Sequence, residues 1–136
     1  MITAVDTNVL LDVFGADPHF GTRSKEALRS CAAEGRLVAC EAAWVEMASC
    51  FPSPDAAQEA MTRLGVESSR GELRTALAAG LAWKAYRERG GKRSRVIADF
   101  LIGAHAVSEA DRLLTRDRGF YRAYFSRLRV LDPSKT

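Results

Sequence analysis

Three acidic side chains each stand alone in an apolar stretch of the chain. They are Asp6 in ITAVDTNVLL, Glu46 in AAWVEMASCF and Asp99 in RVIADFLIGA. An ionised carboxylate is rarely removed from water unless another group pairs with it, because the desolvation is costly. We therefore expect a cation to neutralise these acids. Asp117, in LLTRDRGF, is a fourth candidate, although an ordinary turn acid between two arginines explains its spacing equally well.

A group of such acids supports the chemistry of a hard metal ion. Two carboxylates about 5 Å apart repel each other by about 3 kcal/mol at an effective dielectric constant of about 20. Oxygen ligands without histidine or thiolate favour Mg²⁺ or Mn²⁺ over Zn²⁺ or copper. These ions polarise phosphoryl oxygens and lower the pKa of bound water, which favours phosphodiester hydrolysis. Helix capping by Asp6 and pairing of Glu46 and Asp99 with arginines are the alternatives to a metal site.

The polar neighbours of these acids have two interpretations. Thr7, Asn8 and Thr115 could orient a carboxylate or a metal-bound water, and helix capping or turn formation explains them equally well. Asp12 is interpreted as a solvated or capping acid rather than a ligand. The sequence alone does not decide among these roles.

The remaining chemically interesting side chains are expected to be structural. His19 and His105 stand far apart and have no partner at a metal-ligand spacing, so each is expected to be structural or solvated. The three cysteines are odd in number and lack CxxC spacing, so neither a disulfide framework nor a zinc site is indicated, and buried thiols are favoured. Trp44 and Trp83 are expected in the core or an interface rather than in a base-stacking platform. The cysteines are Cys31, Cys40 and Cys50.

Strand and helix patterns alternate along the chain. Short apolar runs that end at polar or glycine breaks indicate strands, and apolar residues at helical spacing indicate helices. The alternation predicts an α/β sandwich with a mainly parallel central sheet. The predicted strands are residues 2–5, 36–40, 65–68, 112–115 and 128–131, and the predicted helices are residues 7–14, 22–33, 41–51, 55–64, 72–89, 94–107 and 120–125.

Two of the predicted helices carry further expectations. In the helix 72–89, Leu73, Leu77, Leu81 and residues 83–86 are expected to form the apolar side. Ser94 is expected to cap the helix 94–107, which is apolar almost all round and is therefore expected to be buried.

The predicted elements bring the four acids toward one edge of the sheet. Ligands of parallel α/β sheets bind beyond the carboxyl ends of the strands. Asp6 ends the first strand, Glu46 lies on the helix after the second, and Asp117 follows the run LLT. Asp99 reaches the same edge only if its helix begins beside it.

Length and composition agree with one globular domain over residues 1–136. The chain is 47% hydrophobic and 27% charged, and no apolar run approaches the ~20 residues of a membrane span. The start MITAVD lacks a basic n-region and a cleavage site, so no signal peptide and a cytoplasmic location are expected.

The charge distribution offers a candidate surface for a polyanion. Residues 1–83 carry 7 basic and 11 acidic side chains, whereas residues 84–136 carry 13 basic and 6 acidic ones. A basic C-terminal part favours contact with a phosphate backbone. Scattered solvated arginines on helix faces explain the same composition nearly as well.

The motifs together resemble those of a PIN domain. The resemblance rests on DTNVLLD, the helical glutamate of AAWVEMA, ADFLIGAHA, LLTRDRGFYRAYF and RVLDP, in that order along nearly the whole chain. The last block resembles the VapC toxins of bacterial toxin-antitoxin pairs in particular. Carried over position by position, the resemblance makes Asp6, Glu46, Asp99 and Asp117 the acidic quartet of a PIN-like α/β/α sandwich.

The resemblance also implies an activity. PIN domains of this type are Mg²⁺- or Mn²⁺-dependent ribonucleases, so it implies hydrolysis of RNA that leaves 5′-phosphate and 3′-hydroxyl ends. Asp6 and Asp99 would be the principal ligands, Glu46 and Asp117 would bind through water or complete a second metal position, and Thr115 would assist.

The resemblance further implies protein partners. They are a cognate antitoxin that occupies the acidic groove, commonly with a basic side chain near the metal site, and a second toxin subunit in a homodimer. Phe14, Trp44 and Phe51 are candidate anchors for a partner helix, and core packing explains them somewhat better. Residues 55–70 show none of the family's motifs and His105 departs from its pattern, which leaves the RNA target and the partner surface open.

Other function classes fit less well. A phosphohydrolase of the haloacid dehalogenase type needs an aspartate two residues after the first, where this chain has Asn8. The paired acids and the late lysine of a receiver domain are also missing. A catalytically inactive, RNA-binding PIN domain is disfavoured by the full set of four acids. A PIN nuclease of RNA maturation that acts without an antitoxin is the serious alternative.

Overall fold

The computed structural model describes residues 1–92 and 95–135. In these ranges, five strands form one sheet in the order β3-β2-β1-β4-β5, and every neighbouring pair is parallel. The predicted α/β architecture is therefore confirmed. The strands are β1 (Ile2–Val5), β2 (Arg36–Cys40), β3 (Val66–Ser69), β4 (Arg112–Leu114) and β5 (Val130–Leu131), and the helices are α1 (Thr7–Phe14), α2 (Gly21–Glu34), α3 (Glu41–Ala48), α4 (Pro54–Leu64), α5 (Leu73–Glu88), α6 (Ile97–Glu109) and α7 (Arg118–Tyr124).

The register of the central strands sets the edge at which the acids meet. β1 lies between β2 and β4, and Val5 of β1 pairs with Leu114 of β4. The Asp6 amide continues this ladder with a 3.0 Å hydrogen bond to the Leu114 carbonyl. Asp6 and Thr115, which follow the two paired residues, therefore leave the sheet side by side.

An aromatic cluster holds the start of α6 near the start of α7. The ring of Phe100 contacts the rings of Phe120 and Tyr86 edge to face, with centroids 5.2 and 5.5 Å apart. Phe100 directly follows Asp99, and Phe120 lies one turn after Asp117. This packing explains how two acids from separate helices approach the same edge.

Several element boundaries differ from the prediction. α3 ends at Ala48 rather than at residue 51, because the Ser49 hydroxyl bonds the Glu46 carbonyl at 2.7 Å and competes with the next helical bond. α6 begins at Ile97, and the predicted cap Ser94 lies outside the described residues. The predicted burial of this helix holds for its middle, whereas Ile97 and Val107 at its ends are exposed.

The expected apolar side of α5 is wrong for its three leucines, whereas Trp83 and Tyr86 are partly buried against the core as expected. Leu73, Leu77 and Leu81 are 76%, 62% and 70% exposed, whereas Thr75 and Ala79 are buried. α5 packs on α6 through these smaller side chains, since an alanine-rich helix has a second apolar face that allows closer approach. The three leucines, which we call the leucine face, are left at the surface. In the described ranges, no helix is both long enough and apolar enough to span a membrane.

Candidate active site

Asp6 is the most deeply placed of the four acids. It is 5% exposed, and its Oδ2 accepts a 2.7 Å hydrogen bond from the Thr115 hydroxyl. The Asn8 side-chain amide lies 3.4 Å from the same Oδ2 and from the Thr115 hydroxyl. Burial nevertheless raises the pKa of Asp6 to about 6, although these donors act to lower it. The hydrogen bonds to Asp6 therefore do not fully offset the cost of burying its charged form.

Glu46 lies half-buried on α3, the helix that follows β2. The Thr7 hydroxyl donates a 2.8 Å hydrogen bond to its Oε1. Thr7 is the first residue of α1 and directly follows Asp6, so this bond ties the second acid to the end of β1. Thr7 thus contacts a carboxylate in addition to starting a helix.

Asp99 occupies the first turn of α6 and is half-buried. Its Oδ2 accepts a 3.3 Å bond from the backbone amide of Val96. Burial raises the pKa of Asp99, the negative charges of Glu46 and Asp117 act in the same direction, and the Val96 amide and the Arg95 charge oppose them. Its helix does begin beside the acidic edge.

Asp117 directly precedes α7 and is paired with a cation of its own chain. The Arg95 guanidinium forms an ion pair with Oδ2 of Asp117 and lies 4.3 Å from the Phe120 ring centroid. Pairing with an arginine was the alternative to a metal role for Glu46 and Asp99. Within the described residues, the acid of this site that pairs with an arginine is Asp117. The Asp117 backbone amide also donates to the Thr115 hydroxyl at 3.0 Å, which joins this acid to the end of β4.

The four carboxylates share one electrostatic environment, with Asp99 at its centre. The charge of Asp99 acts on Asp6, and the charges of Glu46 and Asp117 act on Asp99. Each acid is turned toward a protein donor in this geometry. Across residues 1–92 and 95–135, no three histidine, cysteine, aspartate or glutamate side chains stand close enough to hold a metal ion as placed.

The side chains at this edge fit a hard divalent cation. Their donors are all oxygens, which is the ligand set of Mg²⁺ or Mn²⁺. Burial opposes ionisation of Asp6, and the neighbouring acids oppose it further, so a bound cation would stabilise the charged form. A buried hydroxyl, that of Tyr121, also lies beside Asp6 without an aligned hydrogen-bond acceptor in the described structure.

The interpretation of Asp12 as a solvated or capping acid is wrong. Asp12 is 4% exposed and receives bonds of 2.7 and 3.0 Å from two nitrogens of Arg116. The Ser24 hydroxyl donates to it at 2.8 Å. Arg116 also covers the Phe20 ring with its guanidinium, 4.0 Å from the centroid. Asp12 therefore anchors the segment after β4 and does not join the acidic site.

The histidines and cysteines lie apart from the acids' hydrogen bonds. His105 is buried and its Nε2 lies 2.8 Å from the Ser69 hydroxyl, while His19 is exposed. Burial lowers the pKa of His105. Cys31 and Cys40 are buried free thiols as expected, whereas Cys50 is exposed, contrary to the prediction. Cys50 reaches the surface because α3 ends before it.

Sequence reasoning did not single out Tyr121, and it assigned no contact to Arg95. Tyr121 stands in a run of aromatic and basic residues, FYRAYF, where periodicity does not distinguish a core ring from a hydroxyl aimed at a site. Arg95 lies in the segment before α6, whose direction no local pattern predicts. The one sequence feature that could have indicated them is their position: Arg95 lies in the motif around Asp99, and Tyr121 lies in the motif around Asp117.

A comparison with protein families decides the classification. The model of the PIN domain matches residues 3–126. The chain belongs to the PIN domain family. No protein of curated function matches the sequence. The predicted PIN-like fold is confirmed by this match and by the parallel sheet.

Solved structures of three bacterial proteins or complexes share the fold. A chain of VapBC2 from Rickettsia felis, bound to a DNA fragment from its promoter, has a TM-score of 0.74 and 18% identity over 97% of this chain and 98% of that chain. VapBC-1 from nontypeable Haemophilus influenzae has a TM-score of 0.74 and 19% sequence identity, and the match covers 99% of this chain and 100% of that chain. FitAcB from Neisseria gonorrhoeae has a TM-score of 0.68 and 19% sequence identity, and the match covers the full length of both chains. At sequence identities this low, the similarity to these structures establishes a common fold and nothing further.

Proposed function

We propose that this PIN domain is a metal-dependent endoribonuclease and the toxin of a toxin-antitoxin pair. The observation that carries the proposal is the cluster of Asp6, Glu46, Asp99 and Asp117 at the carboxyl edge of a parallel sheet, with mutual charge repulsion. Similarity in fold to chains from VapBC and FitAcB complexes supports the toxin assignment. The proposed location is the cytoplasm, and the proposed organisation is one domain over residues 1–136.

Asp6 and Asp99 are the proposed principal ligands of Mg²⁺ or Mn²⁺. Glu46 and Asp117 would hold the ion through water or complete a second metal position. When bound, the ion polarises the phosphoryl oxygen and lowers the pKa of the attacking water. The protein's own contribution is positioning: Thr115 and Asn8 hold the Asp6 carboxylate, and Thr7 holds Glu46.

A groove beside the acids supports RNA as the polyanionic substrate. We call it the basic groove; its volume is about 610 Å³ and its described lining contains no acidic side chain. Arg95 lines this groove and also pairs with Asp117, so the groove opens beside the acidic cluster. The Arg87 guanidinium lies 4.8 Å from the Trp83 ring centroid, which places a cation and an indole together. Its lining residues include Trp83, Tyr86, Arg87, Lys92, Arg95 and Ile97.

A second groove supports an antitoxin helix as a partner. Phe14 and Phe51 contact each other edge to face at 5.2 Å and line a groove of about 440 Å³ together with Val13 and Leu64. An amphipathic helix with apolar side chains every three or four residues fits such a lining. Trp44, the third proposed anchor, borders a different groove beside β3. The proposed antitoxin contact therefore centres on Phe14 and Phe51.

The leucine face supports a second copy of the chain as a further partner. Its three leucines, spaced four residues apart along α5, form an apolar strip that the rest of the described chain does not cover. Gly80 lies among them, and a Cβ added there would meet nothing within 4 Å. Such a strip can pack on its own copy across a two-fold axis. We propose the homodimer on this basis.

Cleavage of a total RNA pool by the purified protein tests the proposed activity. We expect cleavage with Mg²⁺ or Mn²⁺, none with EDTA, and losses of more than about 100-fold in Asp6→Asn and Asp99→Asn. Asp55→Asn is the matched control, since Asp55 is an exposed acid on α4. Activity that persists in EDTA, or full activity in both site variants, would refute the mechanism.

Expression of the chain alone in a bacterial host separates a toxin from a maturation enzyme. A toxin is expected to arrest growth, and Asp99→Asn is expected to relieve the arrest. Normal growth with the active chain, together with no small protein encoded beside it, would favour RNA maturation without an antitoxin. Binding of RNA without cleavage would favour the inactive RNA-binding domain.

A further inference from the structure

The hydroxyl of Tyr121 lies buried beside the acidic cluster, and no described residue is an aligned hydrogen-bond partner for it. Tyr121 belongs to α7 and is 0% exposed. Its hydroxyl oxygen is inaccessible to solvent, and no group in residues 1–92 or 95–135 meets hydrogen-bonding geometry with it. Buried hydroxyls almost always have a partner, so an exception calls for a physical reason.

Packing explains the ring of Tyr121 but not its hydroxyl. The ring lies 5.0 Å from the Phe120 ring and 6.3 Å from the Phe125 ring, centroid to centroid. A phenylalanine would make the same ring contacts and would bury no polar group. The presence of tyrosine at this position therefore points to a role for the oxygen.

The acids of the site are the neighbours of this oxygen. The Tyr121 hydroxyl interacts with the Asp6 carboxylate and acts to lower the pKa of Asp6. The pKa of Tyr121 itself is raised, first by burial and then by the charges of Asp6, Asp99 and Asp117. The hydroxyl is thus a neighbour of the Asp6 carboxylate, but the two groups do not meet hydrogen-bonding geometry as placed.

We infer that Tyr121 is a positioning residue that donates a hydrogen bond to the Asp6 carboxylate when the site holds its metal ion. Thr115 and Asn8 already bond Oδ2 of Asp6, so Tyr121 is the third side-chain donor to this ligand. Such donors fix the orientation of a carboxylate and thereby strengthen metal binding. The inference rests on the proposed metal role of Asp6.

The test compares Mn²⁺ binding by Tyr121→Phe and Tyr124→Phe. Tyr124 is a matched control, because it lies on the same helix and packs its ring against Tyr86 and Phe120. Electron paramagnetic resonance of free Mn²⁺ gives the affinity without RNA. We expect Tyr121→Phe to bind Mn²⁺ about 10-fold more weakly than the wild type. We expect Tyr124→Phe to bind like the wild type.

Thermal unfolding without metal separates this role from a structural one. Because the hydroxyl has no aligned partner among residues 1–92 and 95–135, Tyr121→Phe is expected to unfold at the same temperature as the wild type or a higher one. Unchanged Mn²⁺ affinity in Tyr121→Phe would overturn the inference, as would a wild type that binds no Mn²⁺. A wild type that binds Mn²⁺ but cleaves no RNA would refute the ribonuclease and leave the inference standing.

Discussion

The Thr115 hydroxyl donates a 2.7 Å hydrogen bond to Oδ2 of Asp6 across the ends of two neighbouring strands. Both residues are buried, and the register of β1 with β4 sets them side by side. Thr115 also accepts a bond from the Asp117 backbone amide. One hydroxyl thus connects two of the four acids.

Replacement of this hydroxyl is expected to weaken the site without unfolding the protein. Thr115→Val keeps the shape of the side chain but removes the hydroxyl and its hydrogen bonds with Asp6, Asp117 and Asn8, so we predict losses of about 10- to 100-fold in Mn²⁺ affinity or RNA cleavage. Thr115→Ser retains the hydroxyl and is the control. Binding and cleavage by Thr115→Val equal to those of the wild type would show that this bond does not orient Asp6.

The stability of the metal-free protein is expected to depend on pH through Asp6. Burial holds the folded-state pKa at about 6, above the ordinary value of 3.8. Between these values the folded protein binds more protons than the unfolded chain, so its stability falls as pH rises from about 4 to about 6. Asp6→Asn removes this penalty and is predicted to be more stable than the wild type by about 1 to 3 kcal/mol at about pH 7.5.

Urea unfolding in EDTA at about pH 4 and about pH 7.5 measures this difference. The advantage of Asp6→Asn should be nearly absent at the lower pH, where Asp6 is protonated in the folded wild type. Added Mn²⁺ should stabilise the wild type and not the variant. If Asp6→Asn were less stable than the wild type at the higher pH, burial of the ionised Asp6 carboxylate would not destabilise the folded protein.

The basic groove is expected to bind RNA through Arg95. Arg95→Gln, made in an Asp6→Asn background to prevent cleavage, is predicted to weaken RNA binding and to reduce the slope of log affinity against log salt by about 0.7. Arg63→Gln on α4 is the control, since Arg63 is exposed and outside this groove. Arg93, the neighbouring arginine of this segment, lies outside the described residues. An unchanged salt slope in Arg95→Gln would remove this side chain from the backbone contact.

The leucine face is expected to hold the homodimer together. Light scattering should give twice the chain mass of 14.9 kDa for the wild type and the single mass for a Leu77→Ser, Leu81→Ser double variant. Val45→Ser is the control, because Val45 is 71% exposed on α3 and outside the leucine face. A double variant that stays dimeric would place the interface elsewhere, and a monomeric wild type would refute the homodimer.

Local sequence patterns predicted the central strands and the position of Asp6 at the carboxyl edge of the sheet. Residues 2–5 form an apolar run that ends at an acid, and the rule that ligands meet the carboxyl ends of parallel strands sufficed to place Asp6 at the edge. The approach of Asp99 depended on where α6 begins. The Asp99 carboxylate caps the Val96 amide at that start, but the position of the start beside α7 depends on tertiary packing of Phe100 in the aromatic cluster.

Tertiary choices between equivalent local patterns account for the wrong predictions. The leucines of α5 and its alanines both have helical spacing, and only the closeness of α6 selects the alanines for the core. Asp12 was expected in solvent because its partner Arg116 lies 104 positions away in sequence. The pairing of Arg95 with Asp117 joins two segments in the same way.

Anomalous diffraction from crystals grown with Mn²⁺ tests the central claim most directly. The claim is that the acidic edge holds a divalent cation, with Asp6 and Asp99 as direct ligands. It predicts a manganese peak at about 2.0 to 2.2 Å from carboxylate oxygens of both residues. A crystal saturated with Mn²⁺ that shows no peak between Asp6 and Asp99 would contradict it.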